Sequence, residues 1–522
     1  MRDKALLHPT RRTMLAGAVL LGAPSLCAAP AADPVVACRA GRFVGERRDG
    51  VASFRGIRYG YAPRFRAPVA AAPAHDMVRA VEPGPACPQR GKRHPQSEDC
   101  LSLNVWTPQA DAWTRRPVMV WIHGGGYAYG SANDAITDGQ RLAAAGDVVV
   151  VTVNHRLNAL GYLYLARLNP RFADSGNAGQ LDLILALRWV RDNIAAFGGD
   201  PTRVTLFGQS GGGAKIATLM AMPAARGLFH RAITMSGQQV TVAGPVHATM
   251  RARAYLAKLE LGDAETDRLL DLPVERLVEA LDAQDPIERS AIYMGPVLDG
   301  RWLASHPFWP EANPNGLDVA LMLGGTHDET RDFFDPASAA MRDLDWDTLP
   351  NRIAAELPVD LLPEAIVRAY RVHMPAASPA ELFYAATTDG RSWRPQLIEA
   401  EARARAGRPA FVYQIDFASP VRPERRAFHG IDIALVFGTF EAPDAWTGTG
   451  PAARTLSRLM QERFVGFARS GNPNRPGLPR WPAYETVRRE TMIFDRSSRI
   501  ERDPRSWQRA LFAAAPYVQP GA

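Results

Sequence analysis

The chain has 522 residues, of which 46% are hydrophobic and 22% charged, with a formal net charge of +7 and four cysteines. Such a length supplies ample core, and no low-complexity tract or tandem period interrupts it, which excludes disordered, fibrous and repeat classes. The arginines are scattered rather than gathered into a basic stripe with interleaved aromatics, so nucleic acid is not an expected partner.

The N-terminus reads as an export address. Arg2, Lys4, Arg11 and Arg12 precede an apolar segment over residues 14–26, and the small residues Ala28, Ala29, Ala31 and Ala32 follow. A charged start, a short apolar stretch and a small-residue exit make a signal peptide, too short to span a bilayer, so no stable membrane anchor is expected. Thr10-Arg11-Arg12-Thr13-Met14-Leu15 resembles a twin-arginine signal, which implies a bacterial protein exported to the periplasm or medium. Cleavage is expected between Ala28 and Ala32. It leaves residues 33–522 as a single domain with a formal charge near +4 by removing four cations and Asp3. Cys27 lacks a lipoprotein context. In an oxidising compartment Cys87 and Cys100 are the expected disulfide, closing a short loop worth about 3 kcal/mol, with Cys38 left over. No Cys/His spacing supports a metal, and no cofactor is expected.

Along the mature chain, residues 37–58 alternate around glycines and predict a small N-terminal antiparallel sheet, with residues 42–44 and 51–57 as strands. A proline-rich loop over 62–88 leads to a strand at 101–106. Residues 117–122 are a fully apolar run, as a buried strand of a mostly parallel sheet should be, and residues 147–154 read as another buried strand. The first of these ends in His123-Gly124-Gly125-Gly126, where backbone N–H groups stand clear of side chains at a strand's carboxyl end. That is how an oxyanion hole for acyl transfer is made.

A helix over 181–197 precedes the strand Val204-Thr205-Leu206-Phe207, which runs into Gly208-Gln209-Ser210-Gly211-Gly212 and then a helix over 214–220. Gly-x-Ser-x-Gly between a strand and a helix is a nucleophile elbow. The five-residue pattern is weak by itself and gains weight from the upstream glycines. Residues 246–285 and 349–406 are helix-rich and predict helical insertions outside the sheet, while 317–325 and 410–417 predict further strands. The alternation is that of an α/β fold whose ligands gather at the strand carboxyl ends. A triad in the order Ser, acid, His selects His429, which follows a late strand, and leaves Asp328 and Glu329 as competing acids that spacing alone does not separate.

Ser97-Glu98-Asp99-Cys100-Leu101-Ser102-Leu103-Asn104-Val105, the elbow with Phe197-Gly198-Gly199-Asp200-Pro201 before it, and residues 464–473 together resemble the type-B carboxylesterases, over nearly the whole chain after the signal. The resemblance implies an α/β-hydrolase fold and a serine esterase acting on small-molecule esters. It implies Ser210 as nucleophile, Glu329 as acid, His429 as general base, and Gly125, Gly126 and Gly211 as oxyanion donors. It also implies Ser236, in Met235-Ser236-Gly237, as a serine supporting the acid. Departures accompany the matches. Gln209 stands where the family usually carries Glu, Gly211 replaces Ala at an expected helix-propensity cost of about 1 kcal/mol, and Arg58 replaces a proline. The loop from Cys87 to Cys100 holds Arg90, Lys92 and Arg93 and no Trp, so choline esters, which need an aromatic face, are expected to be poor substrates.

A lipase or a detoxifying esterase for a bulky ester is the competing enzymatic reading, separable by acyl-chain length. A non-catalytic adhesion-type protein of this fold would have lost the serine, the histidine or an oxyanion glycine, and Ser210, His429 and Gly124–Gly126 are all present.

Overall fold

Sixteen strands are defined in a computed structural model that describes residues 33–91, 94–288 and 290–522. They are β1 (Val35–Cys38), β2 (Gly41–Val44), β3 (Glu46–Arg48), β4 (Val51–Arg58), β5 (Gly60–Tyr61), β6 (Val69–Ala70), β7 (Met77–Arg79), β8 (Ser102–Thr107), β9 (Arg116–Ile122), β10 (Val149–Val153), β11 (Gly199–Gln209), β12 (Arg231–Met235), β13 (Ala320–Thr326), β14 (Phe411–Ile415), β15 (Glu490–Phe494) and β16 (Arg499–Arg502). Eleven form one sheet in the order β16-β15-β14-β13-β12-β11-β9-β10-β8-β4-β3. From β10 through β15 neighbours run parallel, while β8, β4 and β3 on one side and β16 on the other are antiparallel. The export segment lies outside the described residues, and residues 33–522 cluster as one compact unit.

The central strands read as continuous apolar runs because both faces are covered. Along β9, Val118, Val120 and Ile122 point into one core while Met119 and Trp121 point into the other. The first core is closed by the helices Ala178–Asn193 and Gly211–Ala221, the second by Ile431–Phe437 and Pro451–Ser470. Trp121 meets Phe207 and Phe437 edge-on at 4.9 and 5.0 Å, so the strand before the glycine loop, the strand before the serine and the helix after His429 share one aromatic contact. The insertion over 339–388 builds its own apolar cluster around Ile353, Tyr370 and Phe383.

The small sheet differs from the expected one. It is mixed, since β1 pairs antiparallel with β2 but β7 joins β2 in parallel. The segment expected to complete it, β4, instead pairs with β8 at the edge of the large sheet. Its burial explains the choice: Ala52, Phe54 and Ile57 are almost fully covered there. The expected disulfide is also absent: Cys87 and Cys100 are buried free thiols in contact, with the Cys87 Sγ accepting from the Leu157 N–H at 3.3 Å. The hydrogen bond with Cys87 and burial together push the Cys100 thiol well above its ordinary range. Cys38 is a half-buried free thiol.

Candidate active site

The elbow is built where β11 ends. Ser210 has φ 55° and ψ −128°, a conformation that costs an L-residue about 1–3 kcal/mol. It is held there by its N–H on the Met235 carbonyl at 2.7 Å and by its carbonyl, which accepts from Ala214 N–H at 3.1 Å as the helix begins. The three glycines that follow are requirements of space. A Cβ on Gly211 would land on the Gly126 carbonyl, 2.5 Å from its Cα, one on Gly212 would strike the Ile122 carbonyl, and one on Gly213 would lie 2.7 Å from the Gly237 carbonyl. The propensity cost expected for Gly211 is therefore the condition for close approach of the elbow helix to the glycine loop. Gly211→Ala is expected to push Gly126 aside and lower kcat about a hundredfold, the order of one lost oxyanion donor, with little change in Tm. Steady-state kinetics beside a thermal melt checks this, and a kcat within threefold of wild type would contradict it.

The glycine loop leaves β9 through His123. Gly125 and Gly126 have φ of 85° and 60°, so their N–H groups are turned by backbone that only glycine adopts freely. The Gly125 carbonyl is pinned by the N–H groups of Ala128 and Tyr129 at 3.1 and 3.2 Å. Gly126 is thus brought against Gly211, and a Cβ on Gly124 would lie 3.4 Å from the Ser210 Cβ.

Glu329 and His429 follow β13 and β14. His429 Nδ1 donates to Glu329 Oε2; a carboxylate only accepts, so in the neutral ring the proton sits on Nδ1 and Nε2 carries the free lone pair. The other Glu329 oxygen accepts the Thr326 N–H at 2.8 Å, and Glu329 is 1% exposed. Nε2 of His429 is buried and has no hydrogen-bond partner among the described residues. Burial opposes a charge on this ring, but Glu329, with Asp332 and Asp432 behind it, outweighs burial and raises the His429 pKa above its ordinary value. The elbow reaches this loop through Gln209, whose amide nitrogen is 3.6 Å from where a Cβ on Gly430 would sit. Ser210 and His429 are the immediate chain neighbours of that contact.

Asp328, the competing acid, is engaged elsewhere, with His327 Nδ1 at 3.0 Å and Arg331 at 3.4 Å. Ser236 is also at the site, and a Cβ on Gly325 would lie 2.8 Å from Glu329 Oε1 and 3.7 Å from Ser236 Oγ. Its hydroxyl makes no hydrogen bond among the described residues, so the described hydrogen bond to Glu329 besides that of His429 comes from Thr326 instead. Arg58 pairs with Asp99, and Arg64 pairs with Glu98 at 2.6 Å, which explains charge at both positions. Lys92 and Arg93 lie outside the described residues. Sequence reasoning missed Asp432, one turn beyond His429, whose carboxyl is pushed up to about 7 by burial and by the charge of Glu329. Among the described residues no group of three or more His, Cys, Asp or Glu is placed to hold a metal ion.

A family model described as the Carboxylesterase family matches residues 32–511. The chain is similar to the para-nitrobenzyl esterase of Bacillus subtilis (strain 168), 35% identical over 91% of this chain and 97% of that protein. It is 32% identical to a phenmedipham hydrolase of Pseudarthrobacter oxydans over 90% of this chain and 97% of that one. Among solved structures, a Geobacillus stearothermophilus carboxylesterase superposes with a TM-score of 0.83 at 35% identity, covering 92% of this chain and 99% of that one.

Proposed function

The chain belongs to the carboxylesterase family and is a carboxylic ester hydrolase, and on that premise we propose that it works through an acyl-enzyme, with Ser210 as nucleophile, His429 as base and Glu329 as the acid behind it. The observation that carries this reading is the His429–Glu329 pair, whose Nε2 is buried, unpartnered and next in the chain to the Gln209–Gly430 contact. Ser210 Oγ attacks the ester carbonyl as its proton passes to Nε2. The oxyanion is held by the N–H groups of Gly125, Gly126 and Gly211, and His429 returns the proton to the leaving alcohol. Water then attacks the acyl carbonyl, losing a proton to Nε2; as the acyl–Oγ bond breaks, His429 returns that proton to Ser210 Oγ, and the carboxylic acid leaves.

The relatives' names suggest a panel containing p-nitrobenzyl acetate, phenmedipham, p-nitrophenyl esters from acetate to palmitate, and butyrylthiocholine. Turnover is expected to peak at short to medium acyl chains and to be at least tenfold lower for butyrylthiocholine than for p-nitrophenyl butyrate. A rise towards palmitate would favour a lipase. An organophosphate adduct on Ser210, mapped by mass spectrometry, is the mechanistic check; hydrolysis with no adduct there would sink the proposal.

A further inference from the structure

One cation is buried beneath the site with no acid to balance it. Lys215 sits in the helix Gly211–Ala221, every residue of which is buried, and is itself 0% exposed. No carboxylate among the described residues pairs with it. Its Nζ donates to the His123 carbonyl at 3.2 Å and lies 5.6 Å from the centre of the Tyr127 ring. A buried, unpaired ammonium is costly, and a methionine would fill the same apolar space without that cost.

The bond it makes is placed for a purpose. His123 leads into Gly124–Gly126, a segment with no side chains to anchor it. Downstream the loop is fixed by Ala128 and Tyr129 on the Gly125 carbonyl. Upstream, Lys215 fixes it to the same helix whose first residue, Gly211, packs against Gly126. Gln209 adds no counter-charge of its own: where the resembled family usually has a carboxylate beside the nucleophile, this chain has a neutral amide.

Resting on the esterase reading above, we propose that Lys215 is a positioning residue for the oxyanion hole, tying the His123 carbonyl to the elbow helix and lending positive charge to the hole. The groups facing it cannot hold its proton. His123 and His155, stacked at 4.7 Å, are kept neutral by burial with Lys215 as the next cause, His123 falling to about 3. The Tyr127 phenol is raised by burial, and the Arg156–Asp182 pair behind His155 is internally balanced. Burial pulls the ammonium itself down to about 7. The cation is therefore lost as pH rises past neutrality and regained when an oxyanion forms.

The test compares the wild type with Lys215→Met on p-nitrophenyl butyrate. Ester turnover and Ser210 labelling by the wild type come first, since their failure refutes the esterase reading rather than the role of Lys215. The variant is expected to lose tenfold or more in kcat with KM within twofold, to bind a trifluoromethyl ketone at least tenfold more weakly, to melt no lower, and to lose the alkaline decline in kcat. An unchanged kcat and pH profile would overturn the proposal, as would parallel losses in kcat and Tm with the alkaline limb intact. If Lys215→Met does not fold, calorimetry of the ketone adduct on the wild type at pH 8 decides. Uptake approaching one proton is expected, and none would overturn it.

Discussion

His429→Ala is expected to lower kcat by about 10⁶, close to 8 kcal/mol of transition-state stabilisation, leaving only what the oxyanion donors and substrate binding supply. The reason is that Nε2 is buried, unpartnered among the described residues and next in the chain to the elbow contact, whereas His230 and His306 each accept a backbone N–H through Nδ1 and His327 is held by Asp328. The substitution also strands Glu329, whose buried carboxylate would keep only the Thr326 N–H. Breaking such a pair costs about 3–5 kcal/mol, so a lower Tm is expected alongside the kinetic loss. Single-turnover acylation by a p-nitrophenyl ester separates the two effects at a temperature where both proteins are folded. Residual acylation above one hundredth of the wild-type rate would remove His429 from the mechanism.

Much of the site was legible in the sequence because its determinants are local. The glycines at 124–126 and 208–213 sit at strand ends, and the apolar runs that became β9, β10 and β11 carry no polar face, as burial on both sides demands. What escaped depends on distant contacts. β12 is a five-residue strand between charged and glycine-rich flanks, and β15 and β16 are short, with β16 at the sheet edge, so their periodicity is too brief to read. The destination of β4 is not legible because its alternation fits either sheet, and only packing against β8 selects one. By sequence Gly211 is only a propensity cost, because the Gly126 carbonyl that stands where its Cβ would be comes from a distant loop. Lys215 is not singled out in the sequence reading. Yet Gly211–Ala221 contains no other charged residue, so it offers no polar face for a lysine to occupy, and that was the available signal.

Glu329→Gln is expected to lower kcat by about 10⁴ while leaving the fold in place, because the amide retains an oxygen for the Thr326 N–H but can turn its NH₂ towards Nδ1. An amide donating to Nδ1 stabilises the tautomer that carries its proton on Nε2, where the base is needed, and it offers no charge to the imidazolium. The pH profile gives the sign. Burial disfavours the protonated ring, and Glu329 is the foremost of the charges that reverse it, so the His429 pKa stands above its ordinary value and activity rises only as pH passes it. In the Glu329→Gln variant burial dominates, and the acid limb of kcat/KM should move to lower pH even as the plateau falls. Stability follows the same linkage: the bonus from the raised pKa is complete below the unfolded value of about 6.5 and fades as pH rises through the folded one. The variant should therefore lose more stability near pH 5.5 than near pH 8.5. A profile in which the limb stays put while the plateau falls would mean that another group, Asp332 or Asp432, sets the charge on His429.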